Sequence, residues 1–151
     1  MYKTILVPLD GSDMAEAILP HVEEVARLCG AAVIFLNVIE LPHIIPQDKG
    51  ESYTGLPYVT AADVEQQGQE ARRYLDDLTA REAAKGITTR GLVEHGPIVA
   101  TILRLAAEES ADLIAMASHG RGGLADVYYG SVAAGVLQRI DRPLLIVRAQ
   151  K

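Results

Sequence analysis

Apolar runs along the chain alternate with segments of helical periodicity. Four short runs carry few polar residues, as strands buried on both faces of a sheet do. A fifth run, Ile87–Glu94, alternates more loosely, which favours a strand nearer the sheet edge. The predicted strands are Thr4–Leu9, Ala32–Val38, Ile87–Glu94, Asp112–Ala117 and Pro143–Arg148.

Between these runs, apolar residues recur at three- and four-residue spacing, which predicts amphipathic helices. Asp13 and Glu16 have the spacing of a capping box for the first helix, and Gly30 that of its C-terminal cap. We expect Pro20 to remove one internal hydrogen bond from this helix and to bend it. The predicted helices are Ala15–Cys29, Ala61–Lys85, a third that starts at Gly96-Pro97, and Ser131–Ile140.

Strictly alternating strands and helices predict an α/β fold: a doubly wound, five-stranded parallel sheet, Rossmann-like, with helices on both faces and right-handed crossovers. The length of 151 residues, without a low-complexity linker or a repeat, predicts a single domain over 1–151. The segment Leu41–Pro57 is longer than usual connections, and we interpret it as a lid or a partner surface.

Composition excludes several classes of protein. Fourteen Lys and Arg against twenty Asp and Glu give a net charge of −6, which opposes binding to nucleic acid or to anionic membranes. The single cysteine, Cys29, argues against a disulfide scaffold and favours a reducing compartment. No apolar run approaches the roughly 18 residues of a membrane span, so the expected location is the cytoplasm.

Two strand exits carry the candidate chemistry. The first strand ends in Asp10-Gly11-Ser12, and the fourth runs into the glycine-rich segment 118–123. In open parallel sheets, ligands bind beyond such carboxyl ends, where the strand order reverses. Gly130-Ser131 opens the following helix, whose free N–H groups favour an anion, so this loop predicts a phosphate seat.

Individual residues at these exits admit two interpretations. Asp10 either accepts a ribose hydroxyl or holds Mg²⁺, or it caps backbone N–H groups of the turn. Ser12 is interpreted as an N-terminal helix cap. Arg121 either pairs with a phosphate or is an ordinary exposed arginine. In the sequence, no carboxylate or nucleophile stands at triad spacing from His119, which argues against a catalytic role.

Better-known motifs are absent from the sequence. No lysine follows a glycine, which excludes a P-loop, and the first strand exit lacks G-x-G-x-x-G. The other histidines, His21, His43 and His95, do not have the spacing of metal ligands.

Four motifs together resemble the universal stress proteins of the single-domain UspA type. They are the opening Ile5–Ser12, the loop 118–123, Gly130-Ser-Val132 and the closing Arg142–Arg148. The ATP-binding branch of that family carries G-x₂-G-x₉-G-[ST], and the matching positions here are Ala117, Gly120, Gly130 and Ser131. The first glycine is therefore replaced by alanine, which matters where that backbone takes a positive φ or lies against the ligand.

The resemblance implies an ATP site that spans both strand exits. Asp10 and Val38 would lie at the adenine and ribose, Met116 and Ala117 at the base-side wall, and the remaining motif residues around the phosphates. The implied binding residues are Pro8, Leu9, Asp10, Val38, Met116, Ala117, Gly120, Arg121, Gly130, Ser131 and Val132.

The implied function is a cytoplasmic, ATP-binding regulator in the stress response. Mg²⁺ would offset the phosphate charges, and an unidentified protein partner would read the bound state. Family members pair as homodimers through the last strand, here Leu144 to Val147, and an open apolar edge strand independently favours pairing. Two alternatives stay open: a slow ATP hydrolase or phosphotransferase, and a nucleotide-free dimeric interaction module that has lost binding through Ala117.

Overall fold

The computed structural model describes residues 1–41, 60–119 and 130–149. These residues form five strands, four α-helices and a short 3-10 helix. The strands are β1 (Thr4–Pro8), β2 (Ala32–Ile39), β3 (Thr89–His95), β4 (Leu113–Ala117) and β5 (Leu144–Val147). The helices are α1 (Leu19–Cys29), α2 (Ala61–Ala84), α3 (Ile98–Glu108) and α4 (Ser131–Arg139), and the 3-10 helix is Ala15–Ile18.

The strands form one parallel sheet in the order β3-β2-β1-β4-β5. The chain moves outward from β1 through β2 to β3, then returns to place β4 on the other side of β1. The strand order therefore reverses between β1 and β4, the pair that the sequence predicted. This arrangement confirms the predicted α/β fold, and β3 lies at a sheet edge as expected.

Two aliphatic cores cover the two faces of the sheet. On one face, Val22 of α1 and Leu75 of α2 pack against sheet residues that include Phe35, the only phenylalanine in the chain. On the other face, Ile102 of α3 and Val136 of α4 pack against residues such as Leu36. Helices therefore lie on both faces of the sheet.

The start of the first helix differs from the sequence prediction. The α-helix begins at Leu19, and Pro20 lies in its first turn, where a backbone N–H has no partner within a helix. Pro20 therefore removes no hydrogen bond from α1, and the predicted loss of an internal hydrogen bond is wrong. The predicted Asp13–Glu16 capping box is also wrong, because Ser12 Oγ accepts the N–H of Ala15 and the Glu16 carboxylate accepts the Tyr74 hydroxyl. The predicted cap at Gly30 is confirmed, with φ at 66°.

Helix α2 is placed by its own cap and by a close contact with β3. Thr60 and Asp63 form a capping box at its N-terminus. A Cβ on Gly91 of β3 would lie 2.9 Å from the Leu75 Cβ, closer than side-chain carbons approach. Glycine at this position therefore lets α2 lie close against the sheet, and this placement brings the helix beside the site described next.

Candidate functional site

A cavity of about 780 Å³ opens at the carboxyl ends of β1, β2 and β4. Every predicted site residue that the structure describes lines it: Pro8, Leu9, Asp10, Val38, Met116, Ala117, Gly130, Ser131 and Val132. Gly120 and Arg121 lie outside the described residues, as does most of the segment Leu41–Pro57. The topology thus brings the described residues of the predicted site together, and their role in binding stays a prediction.

The exit of β1 is a tight turn organised by Asp10. Its Oδ1 accepts the backbone N–H of Ser12 at 2.9 Å and the Ser12 hydroxyl at 2.6 Å. The Ser12 oxygen in turn accepts the N–H of Ala15 at 3.2 Å. Asp10 therefore caps the turn, and Ser12 caps the helical segment that follows, as one interpretation of each predicted. Asp10 also lines the cavity, so a carboxylate is presented there.

The exit of β4 is joined by backbone contacts to both β5 and α4. The N–H of Ser118 donates to the Val147 carbonyl at 2.8 Å, and its carbonyl accepts the Gly130 N–H at 2.6 Å. A Cβ on Gly130 would lie 2.8 Å from that same carbonyl oxygen, a separation that real Cβ atoms do not show. Glycine at 130 is therefore required for α4 to start against the end of β4.

The first turn of α4 presents backbone donors to the cavity. Gly130 is the N-cap residue and carries no side-chain cap hydrogen bond. The first bond of the helix joins the Ala134 N–H to the Gly130 carbonyl at 2.9 Å, so the N–H groups of Ser131, Val132 and Ala133 have no acceptor within the helix. All three residues line the cavity. Such an N-terminus, with its positive dipole end, favours an anion.

Ala117 is the last residue of β4 and is 7% exposed. Among the described residues other than glycine, Ser110 alone has a positive φ. The alanine methyl group therefore imposes no backbone strain at this position. Because Ala117 also lines the cavity, the remaining effect of the methyl is to occupy space beside a ligand.

Helix α2 contributes a part of the cavity that the sequence did not predict. Here Tyr74 donates its hydroxyl to the Glu16 carboxylate at 2.9 Å. Burial and this bond to an anion raise the pKa of the Tyr74 phenol far above its usual value. Tyr74 lies one turn after Ala71, which also lines the cavity, and this helical spacing is the signal that points to it. The missed α2 residues are Gln67, Glu70, Ala71 and Tyr74.

Charged side chains are distributed unevenly around the cavity. Three carboxylate side chains line it, those of Asp10, Glu40 and Glu70, on the β1, β2 and α2 sides. Its described lining contains no lysine or arginine. The helix N-terminus at the β4 exit is the described feature that suits an anion, so a ligand with one anionic end would place that end there.

One further pair of side chains lies at the β4 exit. The hydroxyl of Ser118, which is buried, lies 2.9 Å from Nδ1 of His119, and both residues line the cavity. Across the described ranges there is no group of three or more His, Cys, Asp or Glu side chains arranged to hold a metal ion. In the same part of the chain, every helix is too short or too polar to cross a bilayer.

The model of the Universal stress protein family matches residues 1–148. The chain belongs to this family. A universal stress protein of Methanocaldococcus jannaschii is 28% identical over 155 residues, which cover 98% of this chain and 96% of the relative. A universal stress protein of Bacillus subtilis is 29% identical over 152 residues, which cover 98% and 100%.

Solved structures support the same fold for this universal stress protein. The structure of the Methanocaldococcus jannaschii relative matches with a TM-score of 0.81 at 27% identity, covering 100% of this chain and 99% of the other. A universal stress protein in complex with cAMP matches with a TM-score of 0.70 at 22% identity, covering 99% and 98%. A universal stress protein from Archaeoglobus fulgidus in complex with dAMP matches with a TM-score of 0.66 at 23% identity, covering 97% and 98%.

Proposed function

We propose that this universal stress protein binds ATP in the cavity between the exits of β1 and β4 and acts as a nucleotide-dependent regulator. The observation that carries the proposal is the close backbone contact between Gly130 and Ser118. It holds the uncapped N-terminus of α4 at the strand-order reversal, where parallel α/β sheets bind ligands. The phosphates would accept the N–H groups of Ser131, Val132 and Ala133.

An adenine nucleotide is supported as the ligand class by the relatives. Two structurally similar universal stress proteins were solved with cAMP or dAMP. In this chain, Val38, Met116 and Ala117 supply apolar surface beside the carboxylate of Asp10, which suits a base and its ribose. Gly120 and Arg121 would complete the phosphate side, as the family motif implies.

Mg²⁺ would accompany ATP and offset the charge of its phosphates. Asp10 would hold the ion or a ribose hydroxyl, because it presents its carboxylate at the β1 exit. Its Oδ1 is already oriented by Ser12, which fixes the side chain before a ligand arrives. We further propose that the protein is cytoplasmic and acts as a homodimer through Leu144 to Val147.

Substituting the glycine that makes the close contact tests the proposal. Gly130→Ala places a Cβ against the Ser118 carbonyl and displaces the N-terminus of α4, so we expect a loss of at least about tenfold in affinity for Mg-ATP. Gly130→Glu adds a negative charge and is expected to abolish binding. Isothermal titration calorimetry measures both.

Gly135→Ala is the matched control. A Cβ on Gly135 would lie 2.8 Å from a Val99 methyl group, an equally crowded contact in the same helix, but Gly135 is not among the residues that line the cavity. We expect this variant to keep its affinity for Mg-ATP, and thermal unfolding of both variants measures the effect of each contact on stability. If Gly130→Ala and Gly135→Ala bind Mg-ATP equally well, the proposed phosphate seat is wrong.

A further inference from the structure

Tyr74 gives the cavity an aromatic wall. Among the described lining residues it is the only one with a phenyl-type ring, and it comes from α2 rather than from the strand exits that carry the family motif. The ring packs against the core on the α1 and α2 face of the sheet. One side of Tyr74 is thus fixed in the core, while the residue also borders the cavity.

The orientation of Tyr74 is set before a ligand binds. Its hydroxyl donates to Glu16 Oε1 at 2.9 Å, and the same oxygen lies 3.4 Å from a guanidinium nitrogen of Arg81. Arg81 also pairs with the buried carboxylate of Glu82 at 3.5 Å. An aromatic side chain held at both ends loses little conformational freedom on binding, which favours affinity.

Tyr74 lies away from the phosphate seat. The α4 residues Val132 and Ala133 pack on the opposite face of the sheet from the core that holds Tyr74. The exits of β4, β1 and β2 follow one another in the sheet between α4 and Tyr74. At the usual strand spacing, the distance from the β4 exit to the β2 exit is about 10 Å. A ligand whose phosphates lie at α4 and which crosses these exits past Ala117 therefore directs its base to Val38 at the β2 exit, and Tyr74 of α2 lines the same cavity.

The acceptors on this side suit a nucleoside as well. Glu70 lies one turn before Tyr74 on α2 and lines the cavity together with Gln67. Both side chains accept hydrogen bonds from an exocyclic amine or a hydroxyl, and the Glu70 carboxylate also repels phosphate. The negative charge and the aromatic ring on the α2 side of the cavity therefore both favour the nucleoside part of a nucleotide.

We propose that the Tyr74 ring contacts the base of the bound nucleotide and sets affinity for the nucleoside separately from the phosphates. This inference rests on the proposed nucleotide site. Stacking between a base and an aromatic side chain changes affinity by a factor of about 5 to 140 when the ring is removed.

Binding of AMP and of inorganic tripolyphosphate to four proteins separates the two ends of the site. The proteins are the wild type, Tyr74→Leu, Tyr74→Phe and the control Tyr2→Leu, which alters a tyrosine packed on the same core but outside the cavity lining. We expect Tyr74→Leu to lower the affinity for AMP by the factor given for the loss of a stacked ring and to leave the affinity for tripolyphosphate unchanged. Tyr74→Phe should keep most of the AMP affinity, because it keeps the ring, and Tyr2→Leu should bind both ligands like the wild type.

Each other outcome has a distinct meaning. A wild type that binds neither ligand overturns the proposed function, and the role of Tyr74 falls with it. If the wild type binds both ligands, two results for Tyr74→Leu overturn the role of Tyr74 alone. One is an unchanged affinity for AMP, and the other is an equal loss of affinity for AMP and for tripolyphosphate.

A measurement on the wild type covers the case in which Tyr74→Leu does not fold. Nuclear Overhauser contacts between the labelled Tyr74 ring and the adenine protons of bound AMP are expected, with the ring signals assigned by their loss in Tyr74→Phe. Bound AMP without such contacts overturns the proposal.

Discussion

Close backbone approach, more than side-chain chemistry, distinguishes the residues of the candidate site. Gly130 is required because its Cα lies against the Ser118 carbonyl, whereas Ala117 carries its methyl group without backbone strain. The sequence predicted both positions as parts of one loop motif. It could not separate them, because a glycine in a turn and a glycine under a carbonyl oxygen look alike in one sequence.

Restoring glycine at position 117 is expected to change binding little. Ala117 lies in β4 without a positive φ, so Ala117→Gly only frees the volume of one methyl beside the ligand. We expect the affinity for Mg-ATP to rise by less than about tenfold. The free energy of unfolding should fall by about 0.5–1 kcal/mol, because glycine weakens a strand.

Calorimetry and denaturant unfolding measure the two effects of Ala117→Gly. Binding in the variant, where the wild type shows none, would instead favour the nucleotide-free interaction module.

At the scale of elements, α1 and α2 are joined by a polar network beside their apolar contact. Lys85 of α2 lies 2.7 Å from the Glu23 carboxylate of α1 and 3.0 Å from Glu82 Oε1. Glu82 is 1% exposed, and its Oε2 has no hydrogen-bond partner among the described residues. Periodicity does not predict this buried acidic residue, because Glu82 lies one turn after the buried Leu78 at a position where an apolar side chain is expected.

This network predicts a dependence of stability on pH. The hydrogen bond from Lys85 is the main cause that lowers the pKa of Glu23 below its usual 4.5. A carboxylate with a lowered pKa stabilises the folded state above pH 4.5, and this contribution disappears as the pH falls through the folded-state value. Glu23→Gln should therefore be less stable than the wild type at pH 7, by up to about 1 kcal/mol, and the difference should shrink as the pH falls below 4.5.

Urea unfolding of both proteins between pH 7 and pH 3 measures the difference. Glu24→Gln, at the exposed neighbouring position, is the control and should follow the wild type throughout. A constant difference between Glu23→Gln and the wild type across this range would show that Glu23 does not supply the pH dependence.

For the whole molecule, β5 is the edge that favours assembly. Its four apolar residues are half-buried, and no described strand pairs with its outer side. Leu145 and Val147 pack against one core of the sheet, while Leu144 and Ile146 pack against the other. An apolar parallel edge strand of this kind presents free backbone groups for pairing with a second copy.

A charge placed on this edge is expected to dissociate the proposed homodimer. Ile146→Lys introduces an ammonium group where two edges would meet, and like charges facing each other oppose pairing. We expect light scattering to show a dimer for the wild type and a monomer for the variant. The control Leu28→Lys removes a 79% exposed leucine from α1 and should stay dimeric. A dimeric Ile146→Lys protein with native circular dichroism would place the interface elsewhere.

Most of the fold could be predicted from the pattern of apolar residues. The alternation of buried runs and amphipathic segments placed all five strands and three of the four helices within about two residues, because burial on both faces leaves no polar position in a central strand. The first helix was the exception. The apolar spacing around Pro20 is the same whether the proline lies inside a helix or in its first turn. The conformation of the residues before Leu19 decides where the α-helix begins.

The sequence by itself determined the layered sheet and the two exits that hold the candidate site. These features follow from local composition: apolar continuity for strands, glycine and small polar residues where strands end. Only the tertiary structure decided that Gly130 contacts Ser118 and that Tyr74 and Glu16 meet although 58 residues separate them. Contacts between distant segments depend on how helices pack across the sheet, and a hydrophobic pattern carries no information on which side chains then meet.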